Sequence, residues 1–297
     1  MPEPEPRHPP APAEQQTSEA TATQSDGRGA GAGGEYPFLG PPERPGDWGK
    51  LGPYRVTGLL GSGGMGFVFR GEDDALLRPV ALKVMRPEVA AHPSAHERFL
   101  REGRATAALR SDHVVIIYTV GEHAGLPFLA MELLEGTPLD KWLERREGRK
   151  GAPADAVRVA MDALRGLAVA HEKGRVHRDV KPSNLWVEEP SGRIKVLDFG
   201  LTRGKDDGLT LHGTVVGTPA YMSPEQADGL AVDARADLFS LGAVLYRVLT
   251  GGSPFARPEA LAALLAVKTV EPPPLAALVP GVPAKLAQFV HRLLAKD

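Results

Sequence analysis

Three groups of residues in this 297-residue chain have types and spacing that could do chemistry. The first is the run Gly61, Ser62, Gly63, Gly64, Met65, Gly66, set between two stretches that read as strands. Glycines let a hairpin backbone approach a phosphate without Cβ clashes, although an unliganded Gly-rich hairpin has the same appearance. A dinucleotide-binding loop would open a helix here, and Phe67 to Arg70 reads as strand instead, so that class is excluded. The second is Lys83, inside the otherwise apolar strand Val80 to Met85. A buried ammonium needs a counter-charge, for which Glu102 on the following helix is the candidate; a lysine facing water is the alternative. The third is the polar segment from Val176 to Asn184, containing His177, Arg178, Asp179 and Lys181, with Asp198 fourteen residues beyond Asn184.

These residues need elements to position them. Tyr54 to Leu60, Gly66 to Arg70, Val80 to Met85, Val114 to Val120 and Phe128 to Met131 read as strands, with a helix over about His96 to Leu109. After Gly136 the apolar period becomes helical. Val157, Met161, Leu164, Ala168 and His171 mark one helix face, and Leu238, Leu241, Val244, Leu245 and Val248 another, stopped by Gly251 and Gly252. Leu286, Phe289, Val290, Leu293 and Leu294 mark a last helix. Strands first and helices after imply an α+β protein of two lobes: 54–131, a hinge at 132–135, and 136–297.

Composition narrows the function classes. A net charge of -2 argues against bulk binding of nucleic acid or anionic lipid. The absence of Cys excludes disulfides, thiolate catalysis and Cys-ligated metals. His92 and His96 have a helical metal-ligand spacing, but Pro93 intervenes and no third ligand accompanies them. No apolar run reaches bilayer-spanning length and the N-terminus has no secretory pattern, so a cytoplasmic chain without a membrane segment is expected, with a membrane anchor beyond residue 297 as the alternative. The 28 Pro and 34 Gly prompt a search for a disordered segment. Residues 1–35 lack Val, Ile, Leu, Phe, Trp and Tyr, and residues 1–50 are expected to form a disordered tail.

The segment Val176 to Asn184 and Asp198-Phe199-Gly200, together with Gly217 to Glu225 and Asp237 to Gly242, resemble the hallmarks of the eukaryotic-type protein kinase family. The style is that of bacterial Ser/Thr kinases, and the resemblance covers about Tyr54 to Asp297 in family order. It implies a two-lobed kinase fold and Mg-ATP-dependent phosphorylation of protein Ser/Thr hydroxyls, with Mn²⁺ as an alternative metal. By resemblance, the amides of Gly61 to Gly66 cover the phosphates, Lys83 holds the α/β pair while tethered by Glu102, and Asn184 and Asp198 ligate the metal. Asp179 accepts the hydroxyl proton and Lys181 reaches the transferred phosphate. Leu60, Val68, Ala81, Met131 and Trp186 would line the adenine site, with backbone contacts from Glu132 and Leu134. Trp186 stands where a Leu or Met is usual. Lys181 and Thr218 fit the Ser/Thr class, and Arg178 would receive a phosphate on Thr210, with a homodimer compatible with autophosphorylation. The chain stops before the Arg that usually pairs with the equivalent of Glu225, which implies a domain cut short. A catalytically weak or inactive scaffold that binds nucleotide or a partner protein is the alternative function.

Overall fold

The computed structural model describes residues 35–199, 210–211, 214–215 and 218–296. The expected disorder of residues 1–34, and the expectations for Gly200, Gly217 and Asp297, lie outside the described residues.

Six antiparallel strands form the first sheet, in the order β1-β2-β3-β4-β6-β5. They are β1 (Gly49–Leu51), β2 (Tyr54–Ser62), β3 (Gly66–Asp73), β4 (Arg78–Met85), β5 (Ile117–His123) and β6 (Leu126–Glu132). Between β4 and β5 lie α1 (Pro87–Ala90) and α2 (Pro93–Ala107). Alternation gives this sheet two working faces. Val68 lies opposite Lys83, and Ala81 opposite Met131, on the face toward the cleft. Phe67 lies opposite Val84 and Phe69 opposite Leu82 on the other face. Helix α2 starts on Pro93, a ring already set for the first helical turn, and buries Phe99, Leu100, Gly103 and Thr106. Phe99 packs with Met85, Ile117 and Leu129 in a core of their own.

The expected tail ends earlier than residue 50. Tyr36 is only 6% exposed and belongs to the core of the outer sheet face, with Phe38, Leu39 and Trp48 packed beside it. The physical cause lies in β3. Phe67 and Phe69 both point outward, and Tyr36 meets them edge-on with centroids 5.1 and 5.0 Å away. Such burial is worth roughly 1.5–3 kcal/mol per large side chain, enough to order a short segment. β1 then pairs with β2, and Gly40 exchanges backbone hydrogen bonds with Lys50.

The fifth strand also departs from expectation. Val114 and Val115 belong instead to the lobe junction: Val114 bridges Val196, whose carbonyl accepts from the Val115 amide. The pairing with β6 begins at Ile117 and continues to His123.

The second lobe opens with β7 (Gly136–Pro138), which pairs with β8 (Leu185–Glu188), itself paired with β9 (Ile194–Val196). Its helices are α3 (Leu139–Glu144), α4 (Pro153–His171), α5 (Pro224–Ala227), α6 (Ala234–Thr250), α7 (Ala260–Thr269), α8 (Leu275–Leu278) and α9 (Ala284–Leu293). β10 (Thr210–Leu211) and β11 (Thr214–Val215) form a small hairpin. The face expected for α4 is rotated. Val157 and Met161 are exposed, and Ala156, Val159, Ala163, Leu167 and Ala170 form the core side. Small residues win because α4 packs closely on α6 and β9, where a Cβ on Gly166 would sit 2.6 Å from the His113 carbonyl. Helix α6 is buried on nearly all sides and ends on Gly251 in the left-handed conformation, φ +86°. Glu225, expected to be buried without its usual cation, is half-buried. Among the described residues, no helix is long and apolar enough to cross a membrane.

At the hinge the lobes share a buried ion pair. Lys195 Nζ lies 2.7 and 2.8 Å from the two carboxylate oxygens of Glu132, and the Ile116 amide donates to Oε1 at 2.7 Å. Lys195→Met leaves Glu132 without its cation and is expected to cost about 3–5 kcal/mol, while Glu132→Gln with Lys195→Met recovers part of that loss. Denaturant unfolding of the two single variants and the double variant measures this, and additive losses would show the pair to be uncoupled.

Candidate active site

The cleft between the lobes is floored by the segment that joins α4 to β8. Asp237, fully buried on α6, sets its path. Its two oxygens accept the amides of His177 and Arg178, each at 2.8 Å, and Oδ2 also accepts from His171 Nε2 at 2.7 Å. Arg178 is thereby held at φ +65°, a conformation that L residues with side chains rarely adopt. His177 is itself fully buried between two backbone partners. Its Nδ1 accepts from the Asp179 amide at 3.2 Å, so its Nε2 carries the proton given to the Leu197 carbonyl at 2.7 Å. The segment bearing Asp179 and the segment bearing Asp198 are thus tied through one imidazole.

Asp179 presents its carboxylate between two donors. Asn184 Nδ2 reaches both the Asp179 carbonyl and Oδ2, at 2.9 and 3.0 Å, and Lys181 Nζ lies 3.1 Å from the same Oδ2. With its amide nitrogen so engaged, Asn184 keeps Oδ1 as an oxygen ligand. Asp198 sits at φ +55° with its carboxylate 2.7 Å from Lys83 Nζ. Burial pushes the Asp198 carboxyl up, but the Lys83 ammonium, helped by Lys181, holds it below the usual carboxylate range. Asn184 Oδ1 and the Asp198 carboxylate are hard oxygen donors of the type that divalent cations take.

The expected tether between Lys83 and Glu102 is not formed. Glu102 lies 3.1 Å from Arg101 Nε and 3.5 Å from Arg175 NH1, and Asp198 is the carboxylate that satisfies Lys83. A single ammonium with 12% of its side chain exposed needs one close counter-charge, and Asp198 supplies it.

Gly61 and Ser62 end β2, opposite Val68 and Phe67, and the turn between the strands closes on itself. The Gly63 amide donates to Gly66 O at 2.8 Å, and the Gly66 amide returns to Gly63 O at 3.3 Å. Leu60 on β2 precedes this turn, and Val68 and Ala81 follow on the cleft face, with Met131 and Glu132 ending β6. Leu134 lies in the connection from β6 to β7.

Trp186 does something that the sequence did not announce. Its indole N–H donates to the Glu135 carbonyl at 2.9 Å, pinning the end of the hinge to β8. Position 136 has to be glycine, because it sits at φ +116° and a Cβ there would collide with the Val187 carbonyl. Sequence reasoning gives no sign of Lys195, of the tying role of His177, or of the aromatic layer of Tyr36, Phe38 and Trp48. Aromatic residues appearing abruptly after an aromatic-free tail, ahead of two outward-facing Phe in β3, were the available signal. His96 Nε2 lies 3.8 Å from Glu122.

The sequence matches the protein kinase domain family over residues 54–297. It is 38% identical over 252 residues to serine/threonine-protein kinase Pkn1 of Myxococcus xanthus, covering 83% of this chain and 36% of that protein. It is 39% identical over 251 residues to PknB of Mycobacterium tuberculosis, covering 82% and 40%, and 40% identical over 245 residues to PknL of the same species, covering 82% and 61%. The chain therefore spans less than two thirds of the length of these curated relatives. The solved kinase domain of Mycobacterium tuberculosis PknI superposes with a TM-score of 0.66 at 27% identity, over 84% of this chain and 89% of that one. The chain belongs to the eukaryotic-type protein kinase family, and its similar relatives are bacterial serine/threonine protein kinases.

Proposed function

We propose that this domain transfers the γ-phosphate of ATP to serine or threonine hydroxyls of proteins. The observation that carries the reading is the Asp179 carboxylate, aimed by Asn184 and Lys181 on a loop that Asp237 holds rigidly. Phosphoryl transfer asks for positioning and charge compensation more than covalent help. Asp179 accepts the proton of the attacking hydroxyl, and Lys181 meets the charge of the transferring phosphoryl group. Lys83 exchanges Asp198 for the α- and β-phosphates. Asn184 Oδ1 and Asp198 are the residues that would hold Mg²⁺ or Mn²⁺, which when bound neutralises phosphate charge. Leu60, Val68 and Ala81 cover the adenine from above, Trp186 supports it from below, and Met131 closes the back. The Glu132 carbonyl and the Leu134 amide are the backbone groups that read its edge.

The activation segment adds regulation to this reading. Arg178 Nε is buried and has no hydrogen-bond partner among the described residues. A guanidinium fork in that condition suits a multi-acceptor anion such as a phosphothreonine. Thr210 is the site we assign, with transfer between two copies as the route.

Asp179→Asn removes the base and is expected to lower kcat about 10²- to 10⁴-fold with little change in ATP affinity. Intact-mass measurement on dephosphorylated chain incubated with Mg-ATP provides the check. Phosphate additions on the normal chain and none on the variant support the kinase; equal silence from both would favour a nucleotide-binding scaffold. Thr210→Ala is expected to hold ATP-treated enzyme at the turnover of dephosphorylated enzyme, measured on a peptide substrate. Unchanged activation would remove Thr210 from the mechanism.

A further inference from the structure

The glycine-rich turn is gripped from the side of the sheet that faces away from the cleft. Arg86, the residue after β4, donates from Nε to the Gly63 carbonyl at 2.7 Å, and its own amide donates to the Met65 carbonyl at 2.9 Å. Its guanidinium carbon lies 4.3 Å from the centroid of the Phe67 ring. Phe67 is on the outer face, so the guanidinium is on that side too. Phe67 in turn lies under Phe38, with near-parallel rings 25° apart at 6.0 Å, and against the edge of Tyr36 at 5.1 Å. Trp48 stacks on Tyr36 from the same segment, 15° from parallel.

A trans peptide unit points its C=O and N–H in opposite directions. Holding the Gly63 carbonyl toward Arg86 therefore turns the Gly64 amide away from the outer face and toward the cleft. The Gly66 amide holds the same carbonyl only at 3.3 Å, and Gly63 and Gly64 have no Cβ to restrict rotation, so Arg86 supplies the shorter restraint on this peptide. The guanidinium can hold its position because the Phe67 face supplies a cation–π contact and the aromatic layer keeps that ring from moving.

We infer that Arg86 is a positioning residue for nucleotide phosphates, and that the segment Tyr36–Trp48, which lies ahead of the matched kinase domain, is part of the phosphate-binding apparatus. The inference rests on the kinase reading, because it needs the turn to meet phosphates. It assigns Arg86, Tyr36, Phe38 and Phe67 no contact with the ligand. They act through the orientation of the Gly63–Gly64 peptide.

The test compares ATP with adenosine on the full chain. Adenosine fills the adenine site but carries no phosphate, so only ATP depends on the turn. Arg86→Gln is expected to weaken ATP binding about tenfold, the equivalent of one net hydrogen bond, and to leave the adenosine Kd unchanged. Arg86→Lys, which keeps the charge but not the fork, should restore part of the ATP affinity. Phe38→Ala, at a half-buried position, should produce the same selective loss in smaller measure. KM for ATP should rise with kcat nearly constant. Equal weakening of ATP and adenosine, or a fall in melting temperature with the affinity ratio preserved, would reduce the layer to a structural role and overturn the inference. Failure of the unaltered chain to bind ATP at all would overturn the kinase reading itself and this inference with it.

Discussion

Asp237 is a carboxylate with no solvent contact, and it is tolerated because both of its oxygens meet donors from the loop that it organises. Leaving such a charge unpaired inside a lobe would cost several kcal/mol, so the loop and the helix stabilise each other or neither is stable. Everything in the cleft follows from that exchange. Two consecutive amides directed at one carboxylate force Arg178 out of ordinary backbone geometry, which turns Asp179 toward Asn184 and Lys181. His177, sandwiched by the same distortion, passes the constraint to Leu197 and so to Asp198. Helix α6 can anchor the loop bearing Asp179 because it is itself surrounded by the core of its lobe.

Much of this was legible from residue types. The polar segment around Asp179 and the lysine in an apolar strand each violate the surrounding pattern, and a violation of pattern is what a site looks like in one dimension. Val68 and Ala81 follow from family resemblance alone, and the strand register sets Val68 directly opposite Lys83. What was not legible depended on choices between near-equal partners. Lys83 has two carboxylates available in principle, and spacing cannot say which one it pairs with; the structure gives it Asp198. The core face of α4 is not the one that its largest apolar residues mark. A tight helix crossing selects Ala and Gly, and leaves Val157 and Met161 outside. The tail boundary is hidden in the sequence because residues 36–48, rich in Pro and Gly like the stretch before them, carry a small aromatic core.

The hinge illustrates how two modest contacts can restrict a joint. Glu132 accepts from Lys195 on β9, and Trp186 on β8 holds the Glu135 carbonyl, so both ends of a four-residue connection are fastened to the same small sheet. The lobes are therefore coupled through side-chain contacts of Glu132, Lys195 and Trp186 that residue spacing does not reveal.

The two-faced sheet has a consequence for how this chain can change. β3 and β4 are paired without a break over eight positions, from Gly66 opposite Met85 to Asp73 opposite Arg78. Deleting one residue from β3 between Phe67 and Phe69 would invert the order of faces on one side of the break. A large aromatic ring would then face the cleft, and a strand residue from the cleft would be left facing the aromatic layer. Point substitutions can be absorbed singly at such positions, whereas a change of length is an error of phase. The lineage of this domain should therefore accumulate its insertions and deletions in the loops and almost none within these two strands.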